Sequence, residues 1–285
     1  MKPESERSCE VVATKSGIPA ILHRASGEVM HPGTGPEVEA RELYVVPSRL
    51  EERLREGDGA SEPLVLFDVG LGAASNAIAA WRVSESLPAS ARRLEIVSFD
   101  HDLDALKLAL QPEHAEAFGL ATADAHAAAT ALLTAGRHET ARTTWRLAFG
   151  DFLEVLTQEP AASGDIVFWD MFTRGTNPHL WTVSAFRALR GACREGATLH
   201  TYTTATSARS GLLLAGFAVG VGGSIGARAQ TTIAATSRAQ LAQPLDARWL
   251  TRLARSTVPF PSDIPDDEGS RARTLAQISA HPQFA

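Results

Sequence analysis

The sequence predicts an α/β fold: a Rossmann-like, mostly parallel seven-stranded sheet with helices on both faces, closed by a C-terminal antiparallel hairpin strand. Three observations predict it. Apolar runs of strand length alternate with helical stretches from Leu64 to Ala235. The first run passes directly into glycines and then a helix, in the segment Leu64–Asn76, LVLFDVGLGAASN. The last two runs, Phe217–Val221 and Gln230–Ala235, are joined by a short glycine-rich segment. That link is too short for a parallel crossover, so the final pair is expected to be antiparallel.

The lead-in comes first. Cys9–Thr14 and Ile18–His23 flank Lys15-Ser16-Gly17 and read as a hairpin. The stretch His31–Pro36 (HPGTGP) is irregular, and Pro36 followed by Glu-Val-Glu opens a helix, with proline tolerated in the first turn and acids near the positive dipole end. Glu56–Pro63 is a polar turn cluster. The alternation follows. Strands are expected at Leu64–Val69, Leu94–Asp100, Thr144–Gly150, Asp165–Phe172 and Ala197–Thr203, then the final pair. The helices between them are Ala74–Glu85, Leu103–Leu110, the alanine-rich His114–Ala135 (one helix or two short ones), Phe152–Gln158, Pro178–Cys193 and Ala208–Ala215. After Thr236 a proline-rich, charged tail is expected to pack irregularly or stay partly mobile. Three regions result: an N-terminal extension over residues 1–60, a nucleotide-binding unit over 61–238 and a tail over 239–285.

Composition narrows the function classes. Of the 285 residues 44% are apolar and 21% charged, enough for a full core. The formal charge of −6 gives no surplus for neutralising phosphates, although a local basic patch fits inside an acidic total. Cys9 and Cys193 lie far apart and suit a reducing compartment. The N-terminus has no apolar signal region and no apolar run approaches about 20 residues. A cytoplasmic protein without a membrane span is therefore expected. No His/Asp/Glu spacing matches a metal-ligand set, so no metal is expected. Neither a GxSxG elbow nor a GK[ST] loop occurs.

The residues that carry chemistry sit at strand ends. Gly70 and Gly72 allow a sharp turn and let a ligand approach the backbone. Asp68, just before them, suits the amino group of a methionine moiety and would repel a pyrophosphate. Asp100 ends the next strand, where a carboxylate accepts ribose hydroxyls in open α/β sheets; Asp102 is better placed to cap the helix that follows. Asp151, after Gly150, either accepts from an adenine amino group or caps the helix Phe-Leu-Glu-Val-Leu. Asp170 stands among Phe168, Trp169, Met171 and Phe172. A carboxyl surrounded by apolar side chains carries a desolvation cost that raises its pKa, which suits a group receiving a proton from an amine. Asn177 is a candidate cap, and Trp181 packs or stacks. A nicotinamide-dependent oxidoreductase is the rival reading of the same turn, but GxGxxG wants glycine or alanine at position 75, and Ser75 is there.

With those residues in place, the stretch Asp165–Thr203, continued to Phe217, resembles the methyltransferase domain of MnmC/MnmD-type enzymes. The carriers are an aspartate-containing strand followed by Asn177-Pro178-x-x-Trp181, then Gly196-x-x-x-x-Thr201-Tyr202-Thr203, then Leu212-x-x-Ala215-Gly216-Phe217. The turn matches the family's Gly-x-Gly-x-x-x-Asn at Gly70, Gly72 and Asn76. The resemblance covers Leu64–Ala235 and implies a class I fold and S-adenosyl-L-methionine as cofactor. It implies methylation of an amine, in the family the aminomethyl group on the wobble uridine of tRNA. Asp68, Gly70 and Gly72 would hold the amino-acid end of the cofactor, Asp100 the ribose and Asp151 the adenine edge, with Asn76 also a cofactor-binding residue. Asp170 would face the target amine, with Phe172, Asn177, Trp181 and Arg228 on the substrate side. Two stretches differ from the family: Asp170-Met171-Phe172 replaces Asp-Gly-Phe, and the basic stretch near the end of the sheet retains only Arg228. A small-molecule or peptide amine, and a non-catalytic paralogue, stay open as alternatives.

Overall fold

The computed structural model describes residues 7–15, 17–30, 34–56, 61–224 and 230–285. The N-terminal hairpin forms as β1 (Cys9–Ala13) and β2 (Pro19–His23), with Val11 opposite Ile21. A third strand, β3 (Glu28–Val29), extends it; two residues are too few to leave a period in the sequence. Pro36 opens α1 (Pro36–Glu39) in the expected first-turn position, and the helix continues as a π-helical stretch, Ala40–Val45, before α2 (Leu50–Glu56).

The main sheet contains β4 (Leu64–Val69), β5 (Leu94–Asp100), β6 (Arg137–Glu139), β7 (Thr143–Phe149), β8 (Gly164–Trp169), β9 (Cys193–Thr201), β10 (Ala218–Gly222) and β11 (Thr231–Ala235). Their order is β10-β11-β9-β8-β4-β5-β7-β6. All seven expected strands are present. The short β6 is an eighth, antiparallel to β7 at the edge. As expected, β10 and β11 are antiparallel, and β11 inserts between β10 and β9. Both β5 and β8 flank β4 in parallel, so the strand order reverses at β4. A crevice opens at the carboxyl ends of strands around such a switch point.

Strand pleating splits the interior into two cores. All six residues of β4 are buried. Leu64 and Leu66 face one core with Ile96, Trp145 and Ile166, while Val65, Phe67 and Val69 face the other with Val97, Val167 and Trp169. The first core is covered by α3 (Ser75–Ser86), α4 (Asp104–Ala109) and α5 (Ala123–Ala135). The second is covered by α6 (Phe152–Leu156), α7 (Val183–Ala192) and α8 (Thr206–Leu214).

Three expectations are corrected. The segment His114–Ala135 is helical only from Ala123, because Pro112 and the left-handed Gly119 (φ 74°) leave turns before it. The helix expected from Pro178 begins as a single 3₁₀ turn, and α7 starts afresh at Val183 with Thr182 as its cap. The tail is ordered: α9 (Ala247–Arg255) and α10 (Glu268–Ser279) bury Trp249, Leu253 and Ile278 in the second core. Trp249 stacks on Phe284, and the Gln283 amide bonds Val219 and Leu245, which fixes the tail to β10. Among the described residues no helix is long and apolar enough to cross a membrane.

Candidate active site

The site is built at the switch point. Beyond Val69 the chain turns through Gly70 and Gly72, both at positive φ (94° and 53°), and through left-handed Ala74 into α3. A Cβ on Gly70 would lie 2.8 Å from the Met171 backbone nitrogen and 2.9 Å from the Asp170 carbonyl oxygen. Only a glycine fits that contact between the first turn and the end of β8. Asp100, at the end of β5, braces the turn: its Oδ2 accepts from the Gly72 N–H at 3.0 Å, and its Oδ1 accepts from the His101 and Asp102 N–H groups. Burial pushes the Asp100 carboxyl above the usual range, and those three backbone donors pull it back. Asp102 in turn accepts from the Asp104 N–H just ahead of α4, whose N-cap is Leu103 and not, as expected, Asp102.

A cavity of about 650 Å³ lies over these strand ends. That is within the common range for small-ligand sites. Its wall includes Gly70, Gly72, Asn76, Asp100, Asp151 and Asp170, so six of the sequence-predicted residues come together. Asp151 takes the capping place expected of it, with Oδ1 accepting from Leu153 and Glu154, while Oδ2 lies 3.2 Å from His179 Nε2 on the cavity wall. Phe172 and Asn177 also line it. Asn177 makes no side-chain cap bond, contrary to expectation, and its buried Oδ1 has no partner among the described residues.

Asp170 is held from two sides. Asn76 Nδ2 donates to its Oδ2 at 2.7 Å, and the Tyr44 hydroxyl donates to its Oδ1. The expectation of a carboxyl enclosed by its apolar neighbours is corrected: β8 ends at Trp169, and Asp170 is only partly buried, at the cavity wall.

Two assignments fail on geometry. Asp68 does not line the cavity; the pleat of β4 turns it into the sheet, 1% exposed, where its Oδ2 accepts from Ser98 Oγ at 2.7 Å. Burial pushes its pKa up to about 7. Trp181 is also absent from the wall. It packs on Trp169, Phe186 and Tyr202, and its Nε1 donates to the Phe172 carbonyl, so it supports the loop from behind. Arg228 lies outside the described residues.

Several wall residues were not predicted as site residues. Glu28, Met30 and Glu39 join Tyr44 around the site, with Tyr202, which the sequence offered only as part of the family motif. Glu28 takes the Thr173 N–H and the hydroxyls of Thr173 and Thr176, and His23 lies 4.9 Å from the Phe172 ring, so the N-terminal sheet clasps the Met171–Thr176 loop. Tyr44 sits in the π-helical stretch, a local widening of the helix common at functional sites. Among the described residues, the charged side chains of the cavity wall include six carboxylates and no lysine or arginine.

Comparison with known proteins agrees with this geometry. A family model described as S-adenosyl-L-methionine-dependent methyltransferase matches residues 118–237. The tRNA 5-methylaminomethyl-2-thiouridine biosynthesis bifunctional protein MnmC of Pseudomonas aeruginosa is 35% identical over 205 residues, 70% of this chain and 31% of the relative. The protein of that name from Cupriavidus metallidurans is 29% identical over 237 residues, 80% of this chain and 34% of the relative. The crystal structure of MnmC2 from Aquifex aeolicus superimposes with a TM-score of 0.72 at 25% identity, covering 97% of this chain and 86% of that one. The chain is an S-adenosylmethionine-dependent methyltransferase similar to these MnmC proteins. Its cofactor is S-adenosylmethionine. The nicotinamide reading is thereby set aside. The chain spans about a third of the length of these curated MnmC relatives.

The wall suits that cofactor. Gly70 and Gly72 both line the cavity, and Ser75 Oγ and Asn76 Oδ1 are buried without partners among the described residues.

Proposed function

We propose that this methyltransferase acts on an amine, with the aminomethyl group of a tRNA wobble uridine as first candidate. The observation that carries the reading is Asp170, fixed by Tyr44 and Asn76 on the cavity wall, directly behind the glycine turn. S-adenosylmethionine supplies an electrophilic methyl group. The turn residues Gly70, Gly72 and Asn76 would hold its amino-acid end, Asp100 its ribose and Asp151 its adenine edge. Asp170 accepts a hydrogen bond from the amine, aims the nitrogen lone pair and takes the proton released on methylation. Tyr44 and Asn76 prevent the carboxylate from rotating away, so that most of the acceleration comes from positioning. Phe172 and Asn177 border the acceptor side. The six wall carboxylates favour the positive charge that the amine nitrogen gains as it is methylated and disfavour phosphate or carboxylate groups at the reacting end. They also keep a free small-molecule amine as the second reading.

Asp170→Asn tests the assignment. Transfer of labelled methyl to undermodified tRNA should fall about 100-fold or more, in the range for a lost proton acceptor, while S-adenosylhomocysteine affinity stays within about threefold. Unchanged turnover would show that Asp170 does not carry the chemistry. Methylation of free amines but never of tRNA would decide for the second reading.

A further inference from the structure

An acceptor attached to a nucleic acid poses a problem of charge. The cavity wall repels phosphates, so a polyanion must be gripped elsewhere on the surface. Helix α9 has the sequence ARWLTRLAR and contains no acid. Arg248, Arg252 and Arg255 are all exposed and follow one another at i, i+4 and i+7, which aligns them on one face. None of the three has an ion pair among the described residues. On the opposite face Trp249 and Leu253 are buried, so the stripe stands on a rigid base. Asp246 is committed to capping the helix through the Arg248 and Trp249 N–H groups. Arg271 donates to the Ala254 and Ser256 carbonyls and brings another guanidinium to the carboxyl end of the helix.

A further arginine lies beneath. Arg209 of α8 is 3% exposed, and among the described residues its guanidinium donates to neutral partners, Thr232 Oγ1 and the Thr231 carbonyl, each at 2.9 Å. Burial and the nearby Arg252 hold its pKa down to about 10. Thr232 pairs with Thr201 at the carboxyl end of β9, the end of the sheet that carries the cavity. Arg252 is near enough to disfavour the Arg209 charge, and an anion bound over Arg252 would relieve that repulsion. The stripe lies beyond residue 237, where the matched methyltransferase region ends.

We propose that the exposed face of α9, through Arg248, Arg252 and Arg255, is a docking surface for the phosphate backbone of the RNA acceptor. The proposal rests on the tRNA reading above. Three arginines over about 10 Å of helix suit two or three successive phosphates.

The test is the full chain carrying Arg248→Gln, Arg252→Gln and Arg255→Gln together. Binding to bulk tRNA is measured by filter retention across a salt series, with S-adenosylhomocysteine titration and thermal unfolding as controls. The expected result is tRNA affinity reduced at least tenfold near 0.1 M salt and a salt slope shallower by about 2–3, with both controls unchanged. If wild-type chain binds tRNA in a salt-sensitive way and the triple variant binds equally well, the surface is wrong while the tRNA reading stands. If wild-type chain binds no tRNA even at low salt, the tRNA reading fails and the proposal with it. Retention of the wild-type chain by phosphatidylglycerol vesicles, but not by tRNA, would assign the arginines to a membrane surface and likewise overturn it.

Discussion

Replacing Asp68 by asparagine should make the protein more stable in base relative to acid, although it deletes a hydrogen-bonded carboxylate. Asp68 is 1% exposed beneath the glycine turn, and its Oδ2 is held by the Ser98 hydroxyl, itself accepting from Trp145 Nε1. Burial, and secondarily the charges of Asp170 and Asp100, raise its pKa from 3.8 to about 7 against that hydrogen bond. A carboxyl raised on folding ionises first in the unfolded chain, so its contribution to stability is intact below about pH 4 and is lost as pH rises toward 7. The full loss is about 4 kcal/mol. Between about pH 5 and 8.5 roughly 2–3 kcal/mol of it takes effect. The amide in the Asp68→Asn variant cannot ionise and escapes that loss. Urea unfolding of both proteins at the two pH values gives the difference directly, since any fixed cost of the amide cancels. The stability of the variant relative to wild type should rise by about 2–3 kcal/mol from the lower to the higher pH. An unchanged difference would refute the claim that Asp68 is an ionisable group trapped in the sheet, and a fall would reverse its sign.

Gly70→Ala should abolish S-adenosylhomocysteine binding and destabilise the chain by about 1–3 kcal/mol, because a Cβ at φ 94° meets the backbone of Asp170 and Met171; titration and thermal unfolding check both, and normal binding would show that the turn can move. His200 is buried beside Arg53, and its pKa is lowered to about 3, chiefly by burial. The unfolded chain therefore takes up that proton below about pH 6.5, and stability falls from there toward pH 3. His200→Gln should spare about 2–3 kcal/mol of the wild-type loss between pH 7.5 and 4.5, measured by urea unfolding.

Much of the fold could be read because its signals are local. Strand runs, the glycine turn and the short link between β10 and β11 depend on neighbouring residues, and all were found. The acids at true strand ends, Asp100 and Asp151, reached the cavity wall for the same reason: a residue just past a parallel strand has only the crevice to face. Asp68 did not, because it stands inside β4, where alternation decides which face a side chain takes and the covering of that face is set elsewhere. Trp181 packs inward, as its residue-level reading favoured, and not on the substrate side; an aromatic after a 3₁₀ turn can do either with the same sequence around it. The tail looked irregular because proline and charge dominate its composition, yet Trp249 and Leu253 of α9, Ile278 of α10 and the Gln283 amide dock it on the second core and β10.

The sequence by itself determined the α/β alternation, the antiparallel closure and the acids arrayed around the glycine turn, since these follow from periodicity, link length and the special conformations of glycine. Tertiary structure alone decided what holds Asp170. Tyr44 lies 126 residues before it along the chain, on a helical stretch belonging to the lead-in. Glu28 reaches Thr173 across 145 residues. Such pairs leave no spacing in a sequence, because their separation is set by how the N-terminal sheet folds back over the strand ends. The glycine turn was visible from composition and order; the clasp that completes the site exists only once those distant segments meet.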